Sequence, residues 1–131
     1  MNTAKQLYQF TKKYQVNYNL NEEKGTALFS LFVNEFPKVD FSFAFIGFHK
    51  YYGLKKQEGL TAYGISGNTL YVLSKQKSYR YNLHQATEIS GKKKINGILL
   101  TLMIRQEELP IQLGFSNGNL VLAALKQGAG K

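Results

Sequence analysis

The residues of this chain that could carry out chemistry are few. The sequence contains no cysteine, two histidines (His49 and His84) and one aspartate (Asp40). Without thiols it offers no thiol nucleophile and no zinc-thiolate site. Neither histidine is accompanied in sequence by a cluster of carboxylates, and no nucleophile is spaced from a base in a way that suggests catalysis. The sequence therefore predicts a non-enzymatic protein with no metal or cofactor.

Basic side chains are the residues that could bind a ligand. The 131 residues include 17 Lys and Arg against eight Asp and Glu, which gives a net charge of +9. Residues 50–94 hold nine of the bases and only two acids. A surface with this charge attracts anions, so a membrane surface and nucleic acid are both candidate ligands. The alternative is that the lysines only keep the protein in solution.

The candidate residues for anion or partner binding form three groups along the chain. They are Lys50, Tyr51, Tyr52, Lys55 and Lys56, then Lys75, Lys77 and Arg80, and finally Lys92, Lys93 and Lys94. Exposed rings interleaved with bases could stack on single-stranded nucleic acid. Tyr51 and Tyr52 suit that role best, because Tyr79 and Tyr81 alternate with Leu83 as core residues do.

Two helices are predicted before the first strand. Residues 3–15 place apolar side chains at helical spacing. The second helix is expected to begin after Asn21 as N-cap and to end before Pro37. It carries two acids in its first turn and an apolar stripe: Glu22, Glu23, Leu28, Phe29, Phe32 and Phe36.

After Pro37 the apolar period changes to two, which predicts strands. Phe41, Phe43 and Phe45 are expected to share one face of a half-buried strand. Gly67 and Asn68 predict a hairpin turn, and Glu107 and Glu108 are expected to form a later turn. The predicted strands are 41–51, 59–66, 69–75, 78–83 with ATEIS (86–90) as its extension, 98–106 and 109–115.

A short terminal helix is predicted to follow, capped by Ser116, Asn117 or Asn119. The order of elements places the chain in the α+β class, mainly β. Consecutive hairpins would form a strongly bent antiparallel sheet or partly open barrel. We expect residues 1–36 to be an N-terminal helical extension packed on the same domain as residues 37–131.

A family resemblance rests on the order of the predicted strands. These are the strand FAFIGFHKYYG, the hairpin GLTAYGISGNTLYVLSK, the strand YRYNLHQATEIS, and then GILLTLMI, LPIQLGF and a helix. From about residue 40 to 126 the chain resembles a bacterial pleckstrin-homology-like (PH-like) domain. Two features depart from that pattern. Asn68 and Thr69 stand where relatives often have Lys-Arg, and the chain has no tryptophan for the terminal helix.

The resemblance implies a seven-stranded bent sheet, capped at one end by the C-terminal helix, and a binding role. It also implies that the loops after the first and third strands, with Lys50, Lys55, Lys56, Lys75 and Lys77, share the open end and could converge on one anion. The alternative is that the N-terminal helices cover that end.

The resulting hypothesis is a binding module for a protein partner, a second copy of itself or an anionic membrane surface. The strand LPIQLGF would suit partner pairing if Pro110 faced outward from an edge. Nucleic-acid binding by the lysine-rich middle is the less favoured alternative. The start MNTAKQLYQF lacks the apolar region of a secretory signal, and no apolar run is long enough to span a bilayer. We therefore expect a cytoplasmic protein, with peripheral membrane contact as a variant of that expectation.

Overall fold

The computed structural model describes residues 2–49, 51–52, 55–56, 59–74, 77–95, 97–114 and 118–130. Its helices are α1 (Ala4–Lys13), α2 (Glu22–Glu35) and α3 (Gly118–Gly128). Its strands are β1 (Phe43–His49), β2 (Tyr51–Tyr52), β3 (Lys55–Lys56), β4 (Leu60–Ser66), β5 (Thr69–Ser74), β6 (Lys77–Asn82), β7 (Ala86–Lys94), β8 (Gly97–Ile104) and β9 (Glu107–Leu113). This is the predicted α+β composition, dominated by strands.

Seven strands form one antiparallel sheet in the order β6-β5-β4-β1-β9-β8-β7, and β2 and β3 form a separate hairpin. Among the described residues, the ladder between β1 and β9 pairs Phe48 with Gln112 and His49 with Ile111. The inner faces on both sides of this junction share one core, which includes Tyr63 and Leu100. The sheet therefore curves around that core, and no ladder joins its edges β6 and β7 within the described residues.

The strand LPIQLGF is not at an edge. Its described part belongs to β9, which lies between β1 and β8, and Pro110 is buried opposite Thr101. The condition for partner pairing through this strand, an outward-facing Pro110 at a sheet edge, is therefore not met. Strand order depends on pairing between distant segments, which here overrides the usual preference of proline for edge strands.

Strand β1 is buried on both faces, whereas its sequence predicts a half-buried strand. Phe45 enters the inner core, and Ala44 and Ile46 face the N-terminal helices on the outer side. Phe41 packs with those helices rather than with Phe45, because it precedes the strand and does not follow its alternation.

The N-terminal helices cover the outer face of β1, β4 and β5. As predicted, α2 begins after Asn21, whose side chain accepts a hydrogen bond from the Lys24 N–H at 2.8 Å. Phe29, Phe32 and Phe36 are its buried aromatic stripe. Among the described residues, the main contacts of both helices are with each other and with this face of the sheet.

One of the two predicted turns is confirmed and the other is wrong. The β4–β5 turn uses Gly67 and Asn68, with a φ of 61° at Gly67. The β8–β9 turn uses Arg105 and Gln106 instead of Glu107 and Glu108, which begin β9. Both turn residues have positive φ, 52° and 66°, the conformation of a two-residue turn that glycine and asparagine usually occupy.

The segment ATEIS does not extend β6. A 3-10 helix, Leu83–Gln85, follows Asn82, whose side chain accepts a hydrogen bond from the His84 N–H at 3.0 Å. The chain then enters β7, a separate strand that pairs with β8.

Helix α3 covers one end of the curved sheet. Gly118 lies against Ile98 at its start, and Gly128 lies against Leu83 at its finish. Asn119 is inside the helix and therefore is not its cap, and Ser116 and Asn117 lie outside the described residues. The connections after β1, β5 and β8 lie at the other end, because those strands run away from α3.

Candidate functional site

The first group of candidate residues lies at the end of the sheet away from α3. Tyr51 pairs with Lys56 and Tyr52 with Lys55 in the β2–β3 hairpin, which follows β1. Lys77 begins β6 opposite Ser74, so the backbone brings it to the same end. Lys50 and Lys75 lie outside the described residues, as do the side chains of residues 51–58. Convergence of these lysines on one anion stays a prediction.

Arg80 lies on the outer face of β6, against α2. Its guanidinium carbon is 5.0 Å from the centre of the Phe36 ring and 5.7 Å from that of Tyr71. Next to it, the Ser78 hydroxyl donates a 2.8 Å hydrogen bond to the Glu35 carboxylate. The structure thus gives Arg80 a cation–π contact that holds the sheet edge to the helix.

Tyr79 and Tyr81 point to the inner face, as their alternation with Leu83 predicts. Their rings are stacked with centres 5.8 Å apart and pack against the inner core. The fully buried His49 completes this cluster, with Nε2 3.1 Å from the Tyr81 hydroxyl oxygen. Both rings are half-buried, so their packing in this cluster occupies part of the surface that a nucleic-acid base would need.

A groove of about 300 Å³ lies between β6 and the end of the β8–β9 hairpin. Tyr79, Tyr81, Arg105 and Glu108 are among its lining residues. The Arg105 Nε donates a 2.9 Å hydrogen bond to the Gln85 side chain, which joins the hairpin to the segment after β6. Sequence reasoning missed this groove, because it depends on contact between segments that are far apart in the chain.

The third group, Lys92, Lys93 and Lys94, occupies the end of β7. Lys94 pairs with Gly97 across the hairpin, so Ile95 lies at its tip. All three lysines are exposed, and the Ile95 side chain is 96% exposed. This tip lies at the α3 end of the sheet, beside a cavity of about 270 Å³ that Lys93, Lys94 and Asn119 help to line. It is therefore separated from the group that contains Lys55, Lys56 and Lys77.

Within the part of the chain that the structure describes, no group of three or more acidic or histidine side chains could hold a metal ion. None of the described helices has the length and apolar character needed to cross a bilayer. No protein-family model matches the sequence, and no curated protein matches it significantly. The functional argument therefore depends on the surfaces described above.

Proposed function

We propose that this chain is a non-enzymatic PH-like binding module that engages an anionic membrane surface. The observation that carries the proposal is the hairpin tip, where Lys92, Lys93 and Lys94 are exposed beside an exposed Ile95. The seven-stranded antiparallel sheet with a C-terminal helix is the architecture that the family resemblance implies, and it supports the PH-like assignment.

The energetics of the three lysines favour adsorption to anionic lipid. Each basic residue close to an anionic bilayer contributes roughly 1 kcal/mol, so three contribute roughly 3 kcal/mol. The net charge of +9 adds a longer-range attraction that salt screens over roughly 8 Å at physiological ionic strength. Binding should therefore weaken as salt is raised.

Vesicle co-sedimentation tests this proposal. We expect the protein to bind vesicles of phosphatidylserine and phosphatidylcholine, but not vesicles of phosphatidylcholine alone. A variant with Lys92, Lys93 and Lys94 each changed to Gln should lose roughly 100-fold in affinity, because about 3 kcal/mol of attraction is removed. The matched control changes Lys5, Lys12 and Lys13 to Gln, which gives the same net charge but alters exposed residues of α1.

Equal losses in the two variants would mean that only net charge matters and would contradict a specific surface. A loss confined to a Lys55→Gln, Lys56→Gln variant would instead place the site at the opposite end of the sheet. Tighter binding to single-stranded DNA than to anionic vesicles at physiological salt would favour the nucleic-acid alternative.

A second candidate function is capture of an extended polypeptide at β6, which has no neighbouring strand on its outer side among the described residues. The Leu83 N–H donates to the Asn68 carbonyl at 2.7 Å. This bond shows which residue pairs of the β5–β6 ladder are hydrogen-bonded to each other and which are not. Because main-chain groups alternate in direction, those of Ser78, Arg80 and Asn82 point away from β5. An added strand could pair with them beside the groove.

The occupant expected here is a different chain rather than a second copy. Lys77 and Arg80 would repel their counterparts if two β6 strands paired. Peptides selected from a random display library should slow hydrogen exchange at the amides of Ser78 and Arg80. The amides of Tyr79 and Tyr81 face β5 and serve as internal controls. Selected peptides that leave the outward-facing amides unprotected would contradict edge pairing.

A further inference from the structure

Ile95 occupies a position that neither packing nor turn chemistry explains. Its side chain is 96% exposed, compared with 58% for Leu31 and 37% for Tyr14, the other exposed large hydrophobic residues among those described. Turns favour Gly, Asn, Asp, Pro and Ser, and a β-branched apolar residue has no conformational advantage there. A single exposed apolar residue is common on protein surfaces, so its surroundings decide what it can do.

The surroundings of Ile95 resemble those of a residue at a membrane interface. Lys92, Lys93 and Lys94 immediately precede it on β7, and the strand rises about 3.3 Å per residue. Aliphatic lysine stems can lie along an apolar layer while their ammonium groups stay at the level of the phosphates. An apolar side chain just beyond those ammonium groups would reach the boundary between headgroups and acyl chains.

The hairpin that carries Ile95 can hold the tip in place. β7 and β8 pair continuously from Glu88 and Met103 to Lys94 and Gly97. On its inner side, the backbone of Gly91 lies close to Leu100 and to Leu122 of α3. The exposed side chain is therefore presented by a supported element, and insertion requires little additional ordering of the backbone.

We infer that Ile95 inserts into the acyl region of an anionic bilayer while Lys92, Lys93 and Lys94 contact the lipid phosphates. This inference rests on the proposed membrane-binding function and adds the orientation of the bound protein. The α3 end of the sheet faces the bilayer, and the end with Lys55, Lys56 and Lys77 faces the aqueous side.

The absence of tryptophan makes this insertion measurable. An Ile95→Trp variant has a single tryptophan, whose emission should shift to shorter wavelength on vesicles of phosphatidylserine and phosphatidylcholine. Brominated acyl chains should quench that emission. The matched control is Leu31→Trp, which places the reporter on an exposed position of α2. Its emission should not change on the same vesicles.

The unlabelled protein separates the two possible failures. If wild-type protein binds anionic vesicles but the Ile95→Trp emission neither shifts nor is quenched, insertion is wrong and the membrane function stands. If wild-type protein does not bind, both fail. An Ile95→Ser variant should bind about tenfold more weakly, as expected for loss of a buried aliphatic side chain. The Leu31→Ser variant should bind as the wild type does, and equal weakening in both variants would overturn the inference.

Discussion

Gly25 lies where α2 crosses α1, and its lack of a side chain makes room for the ring of Tyr8. A Cβ atom at Gly25 would overlap the Cδ1 and Cε1 atoms of that ring. Tyr8 is buried, and its hydroxyl donates a 2.8 Å hydrogen bond to the Leu20 carbonyl. The ring therefore cannot move away without losing this bond, and the glycine sets how closely the two helices approach.

We expect Gly25→Ala to lower the free energy of unfolding by about 1–3 kcal/mol, the usual cost of overpacking. This loss should occur even though alanine is favoured over glycine in a helix by about 1 kcal/mol. Gly114→Ala is the control, since its nearest neighbour would be the Tyr18 Cδ2 atom at 3.5 Å, an ordinary contact. Urea unfolding of both variants measures the difference. A Gly25→Ala protein as stable as the wild type would mean that the helices separate at no cost.

Among the helices, strands and turns, the sequence correctly predicts those features that depend on residues close together in the chain. The cap at Asn21, the acids after it and the turn at Gly67 and Asn68 depend only on neighbouring residues, and the structure has all of them. The alternating apolar residues of β8 are likewise buried as predicted, among them Leu100 and Leu102. Each of these features follows from backbone chemistry within a few residues.

The errors occur where long-range pairing overrides the local pattern. Arg105 and Gln106 form a turn that their residue types do not favour, because the antiparallel pairing of Ile104 with Glu107 on either side requires it. Pro110 lies in a central strand for a similar reason, since β9 is flanked by β1 and β8. The groove between β6 and the β8–β9 hairpin and the cluster around His49 also depend on segments that only the folded chain brings together.

The candidate binding residues show the same contrast between what neighbouring residues reveal and what only the fold determines. Their identity could be read from charge, and the exposed group at Lys92–Lys94 is where the sequence places three adjacent cations. The end of the sheet at which each group lies follows from strand direction and order, which the residue types themselves do not determine. The sequence does not single out Ile95, because an isoleucine gives no binding signal until its exposure in the fold is known.

In the whole molecule, the N-terminal helices bury apolar surface that the sheet would otherwise expose to water. They cover the apolar outer face of its first half, which includes Ala44, Ile46, Ala62 and Leu73. The segment after α1 is also bonded to the sheet, since the Ile46 N–H donates to the Val16 carbonyl at 3.0 Å. Removing these helices would leave one face of the central strand exposed to water.

We therefore expect a fragment of residues 37–131 to melt at a lower temperature than the full chain, to bind a hydrophobic dye and to self-associate. An exposed apolar sheet face of this kind is a typical aggregation site. Charge would not explain the change, because residues 1–36 contain four lysines and three glutamates, so the net charge falls by only one. Thermal unfolding and size-exclusion chromatography measure these effects. A monomeric fragment with the melting temperature of the full chain would show that the sheet is stable alone and that the helices serve another purpose.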